Sequence, residues 1–152
     1  LDSLPYHIAV ISYTGTILFV NRQWEEFARA NGITVMERAG KGSNYFDVCI
    51  RSAIQGEPLA TTAMEGILAV MNNELPLFEL EYPCHSPSRQ RWFVLRVMRF
   101  ESDIPKVVVT HQDITDYALS QKMIASNEIR FHRILDSMLE GVQIIKGEWK
   151  DV

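Results

Sequence analysis

Val107-Val108-Val109-Thr110-His111-Gln112-Asp113-Ile114-Thr115 is the stretch on which the fold is decided. Its β-branched residues favour an extended chain, and strand alternation sets Val107, Val109 and His111 on one face. Val108, Thr110 and Gln112 take the other. No Gly or Pro occurs from Lys106 to Glu140. Asp113 is placed to cap a helix that begins at Ile114, so a strand is expected to run directly into a long helix.

Two strands precede it. Residues 91–100 put Phe93, Leu95 and Val97 on one face, with Trp92, Val94, Arg96, Met98 and Phe100 opposite. Residues 77–84 put Phe78, Leu80, Tyr82 and Cys84 on one face and the solvent-facing Glu79 and Glu81 on the other. Pro83 and Pro87 make the intervening segment a turn. Nearer the start, residues 7–12 and 17–21 flank Tyr13-Thr14-Gly15-Thr16, which reads as a β-hairpin. Asn21 stands at the N-cap of a helix carrying Trp24, Phe27 and Ala28 on one face, and Asn31-Gly32 ends it. Residues 33–43 read as a loop. A short helix follows over Asn44–Ile50. A longer one starts at Pro58 and carries Ala60, Ala63, Met64, Ile67, Val70 and Met71 on one face until Asn72-Asn73. Two strands, helices, then three strands predict an α+β fold, an antiparallel sheet with helices on one side.

The 152 residues are 47% hydrophobic, enough for a real core, and the formal net charge is -4. That balance excludes an electrostatic nucleic-acid binder, which needs a basic stripe. No apolar run approaches the ~18 residues of a membrane span. Two cysteines exclude a disulfide scaffold and a four-cysteine zinc site. The chain begins at Leu1 without a signal peptide, so a cytoplasmic fragment of a longer protein is expected, with no membrane contact of its own.

Leu1-Asp2-Ser3-Leu4 is echoed by Leu135-Asp136-Ser137-Met138, and Ile8, Val10 and Ile11 then fall on Val142, Ile144 and Ile145 without a gap. Tandem domains would leave such a trace. A 4-3 seam also runs through Tyr117, Gln121, Ile124, Glu128, Phe131 and Leu135.

The chain resembles a PAS sensor domain of prokaryotic multi-domain signalling proteins such as sensor histidine kinases. The order of elements is the PAS order. Phe19-Val20-Asn21 before the Trp24/Phe27 helix resembles the family's second strand and first helix. Asp113-Ile114-Thr115 resembles the motif that closes the last strand and opens a signalling helix. Tyr82-Pro83-Cys84-His85-Ser86-Pro87 followed by Arg91-Trp92-Phe93 is similar to a prokaryotic subgroup. The resemblance implies a five-stranded PAS fold over 1–113, a signalling helix over 114–134 and a truncated second repeat over 135–152.

It also implies an internal pocket for an unknown small molecule. Candidate lining residues are Tyr45, Cys49, Ile67, Met71, Phe78, Leu80, Tyr82, Phe93, Leu95, Val97, Val109 and, foremost, His111. Asp113, Ile114 and Thr115 would relay the signal. Light-sensing flavin relatives carry a Gln where His111 stands. Their adduct needs Cys at the end of a Gly-x-Asn-Cys motif. Here that stretch is Gly42-Ser43-Asn44-Tyr45, and Phe93 replaces a flavin-binding Asn, so this photochemistry is disfavoured. Haem held by a His on the long helix is disfavoured too, since residues 58–71 contain none. Cys84-His85 lacks the second ligand pair a metal needs. No catalytic motif occurs, and the expected role is a non-enzymatic sensor, dimeric through its outgoing helix. A ligand-free dimerisation and relay module, with the pocket filled by Phe78, Tyr82 and Phe93, is the competing expectation.

Overall fold

The computed structural model describes residues 5–30 and 39–148, with side chains to residue 140. The echoed residues 1–4, the Asn31-Gly32 helix stop and loop residues 33–38 lie outside the described residues. The chain divides into two units, the first ending at Ile114 and the second beginning at Thr115.

In the first unit, β1 (His7–Ser12) and β2 (Ile17–Val20) form the hairpin. Helices α1 (Arg22–Ala30), α2 (Tyr45–Ile54) and α3 (Pro58–Met71) come next, then β3 (Leu77–Pro83), β4 (Trp92–Phe100) and β5 (Lys106–Asp113). The sheet is antiparallel with strand order β2-β1-β5-β4-β3. The last strand of the unit is therefore its central one, and it closes the sheet by pairing with the first. That pairing sets Val109 opposite Ala9 and Val97, and His111 opposite His7 and Leu95.

The core lies between the sheet's inner face and the helices. Ala9, Ile11, Leu95, Val97, Val107 and Val109 from the strands meet Trp24, Cys49, Ile67 and Val70 from the helices. Burying each of the larger aliphatic side chains stabilises the fold by about 1.5–3 kcal/mol. On the outer face, Arg96 pairs with Glu79 across the strands at 2.5 Å and with Gln112 at 2.8 Å. Glu79 thus has a cationic neighbour, a half-exposed pair worth about 0–1 kcal/mol.

Two asparagines join the elements. Asn21 is buried, and its Oδ1 accepts from the backbone N–H of Ile8 (2.9 Å) and of Trp24 (3.1 Å), while its Nδ2 donates to the Tyr6 carbonyl at 2.7 Å. One side chain so caps α1 and ties it to β1. Asn44 caps α2 by accepting from the Phe46 and Asp47 N–H groups, and donates to the Thr14 carbonyl in the hairpin turn. Gly15 makes this contact feasible: its φ is +87°, and a Cβ would overlap the Phe46 ring.

β5 ends one residue later than the Asp113 cap implies. Asp113 is still strand, and the Ile114 N–H bonds the Trp92 carbonyl at 2.9 Å, which prolongs the ladder and delays the helix to Thr115. In the second unit, α4 is one helix over Thr115–Glu148. It passes residue 134 without a break, and Val142, Ile144 and Ile145, which echo β1, are helical.

Asn21→Ala is expected to cost about 2–4 kcal/mol, because the cap is lost and the buried Ile8 N–H and Tyr6 carbonyl lose their partner. Urea unfolding followed by circular dichroism measures this; a loss below about 1 kcal/mol contradicts the role given to Asn21.

Candidate functional site: a tyrosine–histidine–tyrosine cluster in a cavity

The inner face of β5 ends in His111, where the valines of its first two inward positions give way to an imidazole. Tyr82, from β3, reaches it across β4 and places its hydroxyl 2.6 Å from Nδ1. Tyr45, the first residue of α2, places its hydroxyl 3.2 Å from Nε2. A neutral imidazole has one N–H donor and one acceptor nitrogen, so one tyrosine donates to the ring and the other accepts from it. The short Tyr82 contact fits an O–H donating to Nδ1, with Nε2–H donating to Tyr45. The Trp24 ring packs 5.3 Å from the imidazole, and its Nε1–H donates to the Ala39 carbonyl at 2.9 Å.

Beside this cluster lies a cavity of about 450 Å³. Tyr45, Cys49, Leu80, Tyr82, Leu95 and His111 line it, together with Val48, Ser52, Ala60 and Ala63. Glu57 and Pro58, at the junction of α2 and α3, and Pro83, Cys84 and His85, at the end of β3 and just beyond it, help to complete the wall. The size falls within the ~300–1,000 Å³ of small-molecule sites. His111 keeps accessible surface because it faces this space.

Burial sets the protonation of the cluster. It pushes the His111 pKa down to about 3, helped by nearby His7. It pushes both tyrosines above their ordinary value, and the Cys49 thiol up to about 11. All four groups are neutral at physiological pH, and Cys49 is a protonated thiol rather than a nucleophile. His7, opposite His111, stacks on Phe27 at 4.6 Å, and burial lowers its pKa against the raising influence of Asp113.

Six of the twelve pocket candidates therefore surround one space. The other six are not among the residues lining it. Ile67, Met71, Phe93, Val97 and Val109 are buried, and all of them but Phe93 belong to the main core cluster. Phe78 lays its ring against α3 at Gly66, where a Cβ would overlap it. The rim residues Ser52, Glu57, Pro58 and His85 escaped sequence reading because they sit at or near element ends, where periodicity carries no signal. The helix-opening Glu57-Pro58 pair was the available clue. Cys49 and Cys84 are free thiols, and among the described residues no group of three or more His, Cys, Asp or Glu is arranged to hold a metal ion.

No family model matches the chain. An uncharacterised 104.1 kDa protein from the hypE 3' region of Rhodobacter capsulatus is 37% identical over 116 residues, which is 76% of this chain and 12% of that protein's length. The chain thus spans a small part of the curated relative it matches. Among solved structures, the PAS domain of BvgS from Bordetella pertussis superposes with a TM-score of 0.55 at 16% identity, covering 84% of this chain and 90% of that one. An RNA-binding light-oxygen-voltage receptor gives 0.54 at 15% identity, covering 86% and 36%. The VqmA dimer of Vibrio cholerae, a LuxR-type receptor, gives 0.51 at 13% identity, covering 79% and 52%. The first unit has the PAS fold, a five-stranded antiparallel sheet with helices on one face, and a long C-terminal helix succeeds it.

A histidine held neutral by folding makes stability depend on pH. Below its unfolded pKa near 6.5 the unfolded chain binds a proton that the folded one refuses, so stability falls as pH drops from about 6.5 towards 3. Urea unfolding between about pH 7 and 4 is expected to show this slope, and His111→Gln to flatten it. An unchanged slope in the variant contradicts the buried neutral imidazole.

Proposed function

We propose that residues 5–114 are a sensory input domain, which takes a small ligand into the cavity beside His111 and passes its state through α4 to an output domain of the same chain. The observation that carries this reading is the cavity, with mutually bonded polar groups set in apolar walls on the inner face of the strand that leads to α4. Only Gln112, Asp113 and Ile114 separate His111 from the start of that helix. A ligand that fits one arrangement of β5 better than another biases the helix that β5 leads into, and its effect is limited to that difference in affinity. Asp113, Ile114 and Thr115 are the relay in this reading. The output is a histidine kinase by resemblance, the setting is cytoplasmic, and catalysis belongs to other parts of the chain.

A dimer through α4 is part of the proposal. Tyr117, Ile124, Phe131 and Met138 recur at seven-residue spacing and are each at least half exposed. This stripe equally supports a relay module that needs no ligand. Flavin adduct chemistry stands outside both readings, since Tyr45 occupies the place of the reactive Cys in the resembling light sensors and its hydroxyl is bonded to His111.

Denaturing the purified chain and identifying released compounds by mass spectrometry, together with thermal shifts across a metabolite panel, tests the sensing reading. A released molecule, or a shift that His111→Gln reduces, is expected. No released compound and no shift leaves the ligand-free relay. Light scattering is expected to show a dimer that the double variant Ile124→Glu/Phe131→Glu converts to monomer; a monomeric parent chain removes the relay through paired helices.

A further inference from the structure

We infer that the cavity selects an uncharged, largely apolar ligand bearing one hydroxyl or carbonyl, and rejects the carboxylate and the ammonium of the same size. This rests on the sensing reading and deepens it. Among the described residues, the polar groups facing the space include no Lys or Arg. Among the described residues, the sole carboxylate in the lining is Glu57, an exposed residue where α2 gives way to α3. The guanidinium of Arg91, at this end of the sheet, donates to the Cys84 carbonyl at 3.1 Å and lies over the Phe27 ring at 5.6 Å, and it is not part of the wall.

A carboxylate taken to His111 would therefore leave water without meeting a cation, and would pass Glu57 on the way. An ammonium would be drawn to Glu57 at the rim but would find only neutral side chains further in. Both losses are of the kind that burying an unpaired charge imposes. The protein's own groups show the same bias in both signs, since burial disfavours the cation of His111 and the anions of Tyr45 and Tyr82 alike.

A hydroxyl escapes these costs. It both donates and accepts, so it can enter the chain of bonds at its longer link, the 3.2 Å contact between Tyr45 and His111, and leave every member satisfied. A carbonyl can accept a hydrogen bond from the Tyr45 O–H, which is not engaged with the ring while the Tyr45 oxygen accepts from Nε2–H. The remaining lining, with Leu80, Leu95, Val48 and Ala63, accommodates an alkyl or ring portion.

Isothermal titration of the full chain with octan-1-ol, octanoate and octylamine at about pH 7.5 tests this, because the three share a tail and differ in charge. Ala63→Phe, which fills the cavity, locates the binding, and the His111 imidazole NMR signals report occupancy without relying on that variant's folding. Octan-1-ol is expected to bind roughly tenfold or more tighter than either ion, to shift the His111 signals, and to lose affinity in Ala63→Phe. Octanoate or octylamine binding as tightly as the alcohol, with the same His111 shifts, overturns the charge selection and leaves the cavity as a ligand site. Failure of all three to bind or shift His111 at millimolar concentration overturns the selection, while the sensing reading is decided separately by the released-compound and thermal-shift measurements.

Discussion

The pairing of β1 with β5 is the constraint on which the rest of this domain depends. It joins the first strand to the last, so the sheet closes only when the whole unit has been assembled, and the central strand is contributed by the end of the chain segment. Its register is exacting. Strand side chains alternate, and a slip of one residue would turn Val107, Val109 and His111 outward together. With the register kept, two valines complete the apolar core, and the third inward residue meets Tyr45 of α2 and Trp24 of α1 at the edge of that core. The imidazole stands at that boundary, and the cavity lies beside it.

The same register explains why polar groups survive in so apolar a setting. His111 would be costly if its nitrogens were left bare. Tyr82 and Tyr45 come from opposite directions, one from the sheet and one from α2, and each takes one nitrogen. The cluster is satisfied internally and neutral, which is the condition under which burial of polar groups is tolerated. It also couples three elements. Movement of α2, of β3 or of β5 changes a bond to the same ring, and β5 leads within a few residues to α4. The Asn21 and Asn44 side chains fix the N-terminal ends of α1 and α2 to the hairpin, leaving the α2–α3 junction beside the cavity as the less tethered side.

Charge and shape divide the surface from the site. Arg96, Glu79 and Gln112 form a solvent-facing network on the outer sheet face, where the energy of each pair is small. Inside, among the described residues, no permanent charge stands in the wall except Glu57. The separation comes from the alternation of β3, β4 and β5, in which each outward Glu, Arg or Gln is flanked by inward Leu, Phe, Val, Tyr or His.

The elements and their faces were legible in the residues alone. The run from Val107 to Gln112, the alternation in residues 77–100, the cap at Asn21 and the helix-opening Pro58 are local signals, because strand alternation, helix periodicity and capping act over a few residues. The α+β order and the inward set of β4 and β5 come from them. What a local signal cannot carry is depth. Phe93, Val97 and Val109 share the inward face of the sheet with Leu95 and His111, and nothing in their spacing tells which of them borders the cavity. That distinction arises from how far each helix stands from the sheet, as does the meeting of Tyr45, Tyr82 and His111 from three distant segments.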